Sequence, residues 1–167
     1  TTSMGRLMLN ILLSFAQFER EVTGERIRDK IAASKRKGLW MGGYTPLGYE
    51  IKDRKLIIEE KDAEIVRRIF TRFTETRCIV DIIREMALEG ITTKPSRLKD
   101  GSVRNGTPMD KKYLSKLLRN PIYVGEIRHK GTVFAGQHEP IITRQLWDRV
   151  QNILSEDAHR SEERRVG

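Results

Sequence analysis

The chain has 167 residues, 38% of them hydrophobic and 33% charged, with a net charge of +9 and a sequence pI near 9.9. That apolar content supports one modest core, or one small domain plus an extended element, and the positive balance points to an acidic partner, most commonly nucleic acid. A single cysteine, Cys78, excludes an internal disulfide and a multi-cysteine zinc site, and is expected to pack as a small apolar group.

The first element is a long helix. Met4, Met8, Ile11, Phe15, Phe18 and Val22 recur at alternating steps of four and three, the spacing that keeps one stripe on a partner. After Val22 the stripe stops, and helical composition continues with the basic residues Arg26, Lys30, Lys35, Arg36 and Lys37 until Gly38 offers a stop. The result is a rod of about 50 Å, at 1.5 Å per residue, protein-facing at one end and polyanion-facing at the other. Gly24 costs about 1 kcal/mol relative to Ala and permits a kink, against strong helix formers on both sides. The apolar run from Leu7 to Phe18 is interrupted by Asn10, Ser14 and Gln17 and followed by Glu19 and Glu21, so it is neither a bilayer span nor a signal peptide. A soluble, cytoplasmic chain with no membrane partner is expected. The chain begins at Thr1 without an initiator methionine, almost directly inside the helix, which points to an excised fragment.

The run Gly5-Arg6-Leu7-Met8-Leu9-Asn10-Ile11-Leu12-Leu13-Ser14-Phe15-Ala16-Gln17-Phe18-Glu19-Arg20-Glu21 resembles the long helix that ends the catalytic domain of serine site-specific recombinases, the resolvase, invertase and large integrase family. The resemblance implies a helix that builds a dimer interface and then runs onto DNA. Periodicity alone favours an amphipathic core helix, and it is the resemblance that reverses this preference. The next stretch, Gly38 to Tyr49, is dense in glycine and holds Pro46, so it should run extended. Gly42 and Gly43 permit close backbone approach and are candidates for a minor-groove contact, whereas Trp40 and Tyr49 read as tucked into the following domain. This pattern is similar to the junction between catalytic and recombinase domains in large serine integrases.

Tyr49-Glu50-Ile51 and Leu56-Ile57-Ile58 predict a short hairpin. A helix follows with Ala63, Val66, Ile69, Phe70 and Phe73 on one face and Glu59, Glu60 and Asp62 at its start, where negative charge suits the helix dipole. A second has Ile79, Ile82, Ile83 and Met86 inward and stops at Gly90; Ile79 to Thr93 resembles the first half of a helix-turn-helix. Residues 91–109 read as a long polar loop, with Lys94, Arg97, Lys99 and Arg104 against the one acid Asp100, expected to order on DNA, the alternative being a disordered loop with no DNA role. Asp110 is a candidate N-cap for a short helix, Lys111 to Arg119, ended by Asn120-Pro121. Tyr113, Leu114, Leu117 and Leu118 gather on one side of it and Lys112, Ser115, Lys116 and Arg119 on the other, the best candidate in the small domain for a groove-facing surface. Leu114 to Gln137, with Asn120-Pro121-Ile122-Tyr123-Val124-Gly125-Glu126-Ile127, again resembles the recombinase domain. Tyr123 to His129 and Thr132 to Ala135 read as a second hairpin around Lys130-Gly131. A last helix, capped by Thr143, buries Leu146, Trp147, Val150, Ile153 and Leu154, and a polar tail beyond Ser155 is expected to fray.

The expected fold is mainly α with short β-hairpins: a dimerisation and DNA-facing helix at 1–37, a linker at 38–48, a DNA-binding domain at 49–154 and a polar tail at 155–167. No catalytic residue is assigned. The family's nucleophilic serine stands in a Tyr-x-Arg-x-Ser context that is absent here, and Ser3 and Ser14 lack the activating neighbours a serine nucleophile needs. No cofactor is expected, and no metal, since His129 and His138 lack ligand spacing. The resemblance implies the DNA-binding and dimerising part of a recombinase or integrase, binding double-stranded DNA, self-associating through the long helix and inactive alone. The alternatives are a free-standing helix-turn-helix regulator and a metal-dependent nuclease built on Glu59, Glu60 and Asp62.

Overall fold

The computed structural model describes residues 2–53, 55–97 and 101–166, without the side chains of 96, 97 and 158–166. Helix α1 spans Ser3–Arg36 without interruption, its start capped by the Thr2 hydroxyl, which accepts the Gly5 N–H at 3.4 Å. The backbone stays helical through Gly24, and a Cβ there would meet only the Arg28 side chain. No residue of α1 is buried. Met4, Met8, Ile11, Phe15 and Phe18 are 55–70% exposed, as are Leu7, Leu9, Leu12 and Leu13; Val22 is half-buried. At about 100° per residue, Leu9, Leu12 and Leu13 fall outside the stripe of Met8, Ile11 and Phe15, so the first half of α1 is apolar on two faces rather than one.

Gly38 ends α1 as its sequence position predicts. Its φ is +73°, its N–H donates to Lys35 O at 3.0 Å, and the Leu39 N–H donates to Ser34 O at 3.1 Å, the paired bonds of a Schellman motif. The same glycine is pressed against the second half of the chain, where an added Cβ would lie 2.2 Å from Ala135 O. Gln137 completes the contact, its N–H donating to Gly38 O at 3.0 Å and its side-chain amide to Lys37 O at 2.8 Å.

The small domain opens with the antiparallel pair β1 (Tyr49–Lys52) and β2 (Lys55–Ile58), Tyr49 opposite Ile58. Helix α2 (Glu60–Thr76) starts where the Glu59 carboxylate accepts the Asp62 N–H at 3.2 Å, and all five of Ala63, Val66, Ile69, Phe70 and Phe73 are buried. Helix α3 (Ile79–Leu88) buries Ile82 and Met86, with Ile79 and Ile83 partly buried. Arg72 bridges Glu75 of its own helix and Glu85 of α3. Tyr49 is the knot of the core: its hydroxyl donates to Ile122 O at 3.2 Å and Glu139 O at 2.7 Å, and its ring stacks on Tyr123 at 6.2 Å. Phe70 joins Tyr123 to Trp147 of the last helix.

Four elements depart from the sequence reading. The segment 91–109 is a β-ribbon, with β3 (Ser96–Arg97) pairing antiparallel with β4 (Val103–Arg104) above a bridge between Thr92 and Pro108. Threonines close its base, the Thr93 N–H donating to Thr107 O at 2.8 Å and the Thr107 N–H to Thr93 Oγ1 at 3.0 Å, so backbone pairing needs no apolar alternation. This ribbon, not a short turn, separates α3 from α4 (Lys111–Leu118). Tyr123 and Val124 lie in a 3-10 turn, Pro121–Val124, rather than a strand, because Asn120 caps the Ile122 N–H and Pro121 presets a helical φ. Only Glu126–His129 (β5) and Thr132–Ala135 (β6) form the hairpin. Helix α5 runs Arg144–Val166, past the expected fraying point, through residues that are mostly good helix formers. Trp147, Val150, Ile153 and Leu154 are buried on it and Leu146 partly so, as predicted. The result is mainly helical, with three separate two-stranded hairpins among the described residues.

Candidate nucleic-acid interface

Helix α4 divides as its periodicity requires. Asp110 caps it by accepting the Tyr113 N–H at 2.6 Å; Leu114, Leu117 and Leu118 are buried, while Lys112, Lys116 and Arg119 are solvent-facing and Ser115 half-exposed. A residue from another element joins this face. Arg128, exposed on β5, shares with Ser115, Lys116, Arg119, Asn120 and Pro121 a shallow hollow of about 370 Å³, and no acid lines it. The strand period carries the signal that finds Arg128, since Ile127 is buried and its neighbour must point the other way.

Lys116 also borders a larger cleft, about 550 Å³, between α4, the ribbon and the linker. Trp40 and Tyr44 of the linker, Arg104 and Asn105 of the ribbon and Asn120 line it. Burial raises the hydroxyl pKa of Tyr44, which donates to Lys94 O at 2.9 Å, and of Tyr113, so both stay neutral at physiological pH. Asp110, engaged as the α4 cap, lines it as well, and the basic, amide and hydroxyl donors beside it suit a phosphate backbone.

The basic end of α1 is less uniform than its sequence run. Lys35, Arg36 and Lys37 fan around the helix at about 100° intervals. Arg36 and Lys37 are exposed, Lys37 on the same face as exposed Arg26 and Lys30. Lys35 is half-buried toward the second hairpin, where burial and the charges of Lys35, Lys130 and Arg36 hold the His129 pKa below the usual range.

Two candidates already have structural roles within this chain. Lys94 is committed inward: its ammonium donates to Tyr49 O at 2.6 Å and pairs with Asp62 at 3.2 Å, and only 20% of its side chain is exposed. Its charge ties the ribbon to the core, and from that paired position its side chain lines the cleft. Gly42 and Gly43 have φ of +87° and +121°, so backbone conformation already favours glycine at both, and a Cβ on Gly42 would meet nothing of this chain within 4 Å. The Arg97 and Lys99 side chains lie outside the described residues.

The carboxylates of a nuclease reading are spent elsewhere. Glu59 caps α2, Glu60 pairs with Arg67 at 2.5 Å and Asp62 with Lys94. Ser14 sits in a hollow lined by Asn10, Ile11, Phe15 and Phe18, which offer no base or guanidinium to activate it. No described helix is long and apolar enough to cross a membrane.

The family model Recombinase matches residues 60–157, and the model Resolvase, N terminal domain, matches residues 1–40. A chain in a crystal structure of a LSR-DNA complex is similar at 25% identity with a TM-score of 0.65, covering 78% of this chain and 38% of that one. A second, from a structure concerning the sequence requirements of the Listeria innocua prophage attP site, shares 25% identity with a TM-score of 0.62 over 78% of this chain and 51% of that one. The chain thus spans about half or less of the length of these relatives. No curated protein matches it.

Proposed function

Because the chain belongs to the Recombinase family, we propose that it is the DNA-binding and dimerising portion of a large serine site-specific recombinase. In this reading α1 is the dimer and DNA-facing helix, residues 38–48 are the linker, and 49–154 form the domain that recognises an attachment site in double-stranded DNA. Met4, Met8, Ile11, Phe15, Phe18 and Val22 meet a second copy. Arg26, Lys30, Arg36, Lys37 and Arg104 contact phosphates, and Lys112, Ser115, Lys116, Arg119 and Arg128 face the groove. The observation that carries it is the acid-free hollow where Arg128 of β5 joins Ser115, Lys116 and Arg119 of α4. The match of α1 to a resolvase domain favours this over a free-standing regulator. Strand cleavage and rejoining are assigned to no residue here.

Binding titrations over several salt concentrations, with random duplex and with duplex selected from a randomised pool, test the assignment. Lys37→Ala is expected to weaken both DNAs alike and lower the salt slope by about 0.9. Arg119→Ala and Arg128→Ala are expected to narrow the gap between the two DNAs by about 1–3 kcal/mol for each base-reading side chain removed. An equal loss on both DNAs would reduce the α4 face to an electrostatic anchor.

A further inference from the structure

Residues 38–48 are the covalent route from α1 to the small domain, and with Gly42 and Gly43 in it that route alone would let the two swing. The structure adds a second connection. Gln137, a hundred positions from its partner, donates from its side-chain amide to Lys37 O and from its backbone to Gly38 O, occupying carbonyls at the helix end that are otherwise left to water. Its own position is pinned on both sides: the Gly136 N–H donates to Gly125 O at 2.7 Å, and the His138 ring nitrogen lies 2.7 Å from Ile122 O. Gly38 fits against Ala135 O only because it lacks a Cβ. Only about 20 Å³ of cavity remains between Gly38, Trp40, Leu56 and His138.

We propose that Gln137 is a positioning residue that locks α1 at one angle to the small domain, so that the basic end of α1 and the α4 face reach a single DNA duplex preorganised. The proposal rests on the DNA-facing reading of both elements. Without the lock, the same phosphate and base interactions form, but binding must also order the joint, and affinity falls although every protein–DNA interaction is kept.

The test uses the full chain with Cys78→Ser, a substitution suited to the N-cap of α3, and spin labels at Glu25→Cys and Arg149→Cys, diluted with unlabelled protein. Pulsed electron resonance is expected to give one narrow distance distribution. Gln137→Ala, and more strongly Gln137→Pro, which removes both donors, are expected to broaden it while the melting of the small domain stays unchanged. On a random duplex these variants should bind on the order of two- to tenfold more weakly, the worth of one net hydrogen bond, with the salt slope unaltered. A distribution as narrow in both variants as in the parent overturns the lock. A broadened distribution with undiminished affinity overturns its role in DNA binding. Were no protein to bind duplex, the DNA-facing reading would fail while the distances still decided the joint.

Discussion

Helix α1 and helix α2 are written in the same code and end in opposite environments. Each carries an apolar face at helical spacing, yet all five inward residues of α2 are buried and none of α1 is. Periodicity states which side chains should leave water, not which surface receives them. In α2 the receiving surfaces, α3 and α5, belong to this chain; for α1 no described residue of the chain takes that part.

Substituting one aromatic in each helix gives the widest separation. Phe70→Ala opens a cavity among Tyr123, Trp147 and the α2 core and is expected to destabilise the small domain by about 3–5 kcal/mol in chemical denaturation. Phe15→Ala should leave that unfolding curve in place and instead weaken self-association in sedimentation equilibrium by roughly tenfold or more, as truncation of a central interface aromatic does. If Phe15→Ala lowers the stability of the small domain, α1 is a core helix after all.

The polar ties of the small domain give smaller effects. Tyr49→Phe deletes a donor shared by Ile122 O and Glu139 O and is expected to cost about 1–2 kcal/mol, since Ile122 O keeps the His138 ring as a partner. Asp110→Ala removes the cap of α4, with an expected loss of about 1 kcal/mol, whereas Thr2→Ala on the exposed α1 should leave domain melting untouched.

Acidification gives the smallest effect. Burial holds the His138 pKa below its usual value, opposed by its bond to Ile122 O, and His129 is shifted the same way by burial and by Lys35, Lys130 and Arg36. The neutral form is therefore the one the fold favours. The stability it contributes is present above about pH 6.5 and declines as pH falls from there through the lowered folded values, because the unfolded chain takes up protons first. Melting followed from about pH 8 to about pH 5 should show this decline, and His138→Gln should flatten part of it.

Legibility in the sequence followed the range of the interactions. The faces of α2 and α4, the caps at Asp110 and Thr143 and the stop at Gly38 rest on neighbours within a turn or two, and each could be read locally. The ribbon could not: its strands are two residues long and its closure depends on threonines paired across the loop. Nor could the partners of Lys94: a lysine in a polar loop suggests a solvated cation, while Tyr49 O and Asp62, which it meets, lie far upstream. Arg128 needed the position of β5 relative to α4, and Gln137 needed a contact across most of the chain.

The fastening at Gly38 determines where such a domain can be cut and grafted. A chimera spliced anywhere in 38–48 would give the recipient's helix end a hairpin shaped for another, with Gln137 facing carbonyls it no longer fits and any side chain other than hydrogen at position 38 striking Ala135. The tolerant seam lies higher, near Gly24, where a new side chain would touch only Arg28. The transferable unit is therefore the domain together with the stretch of α1 that follows Gly24.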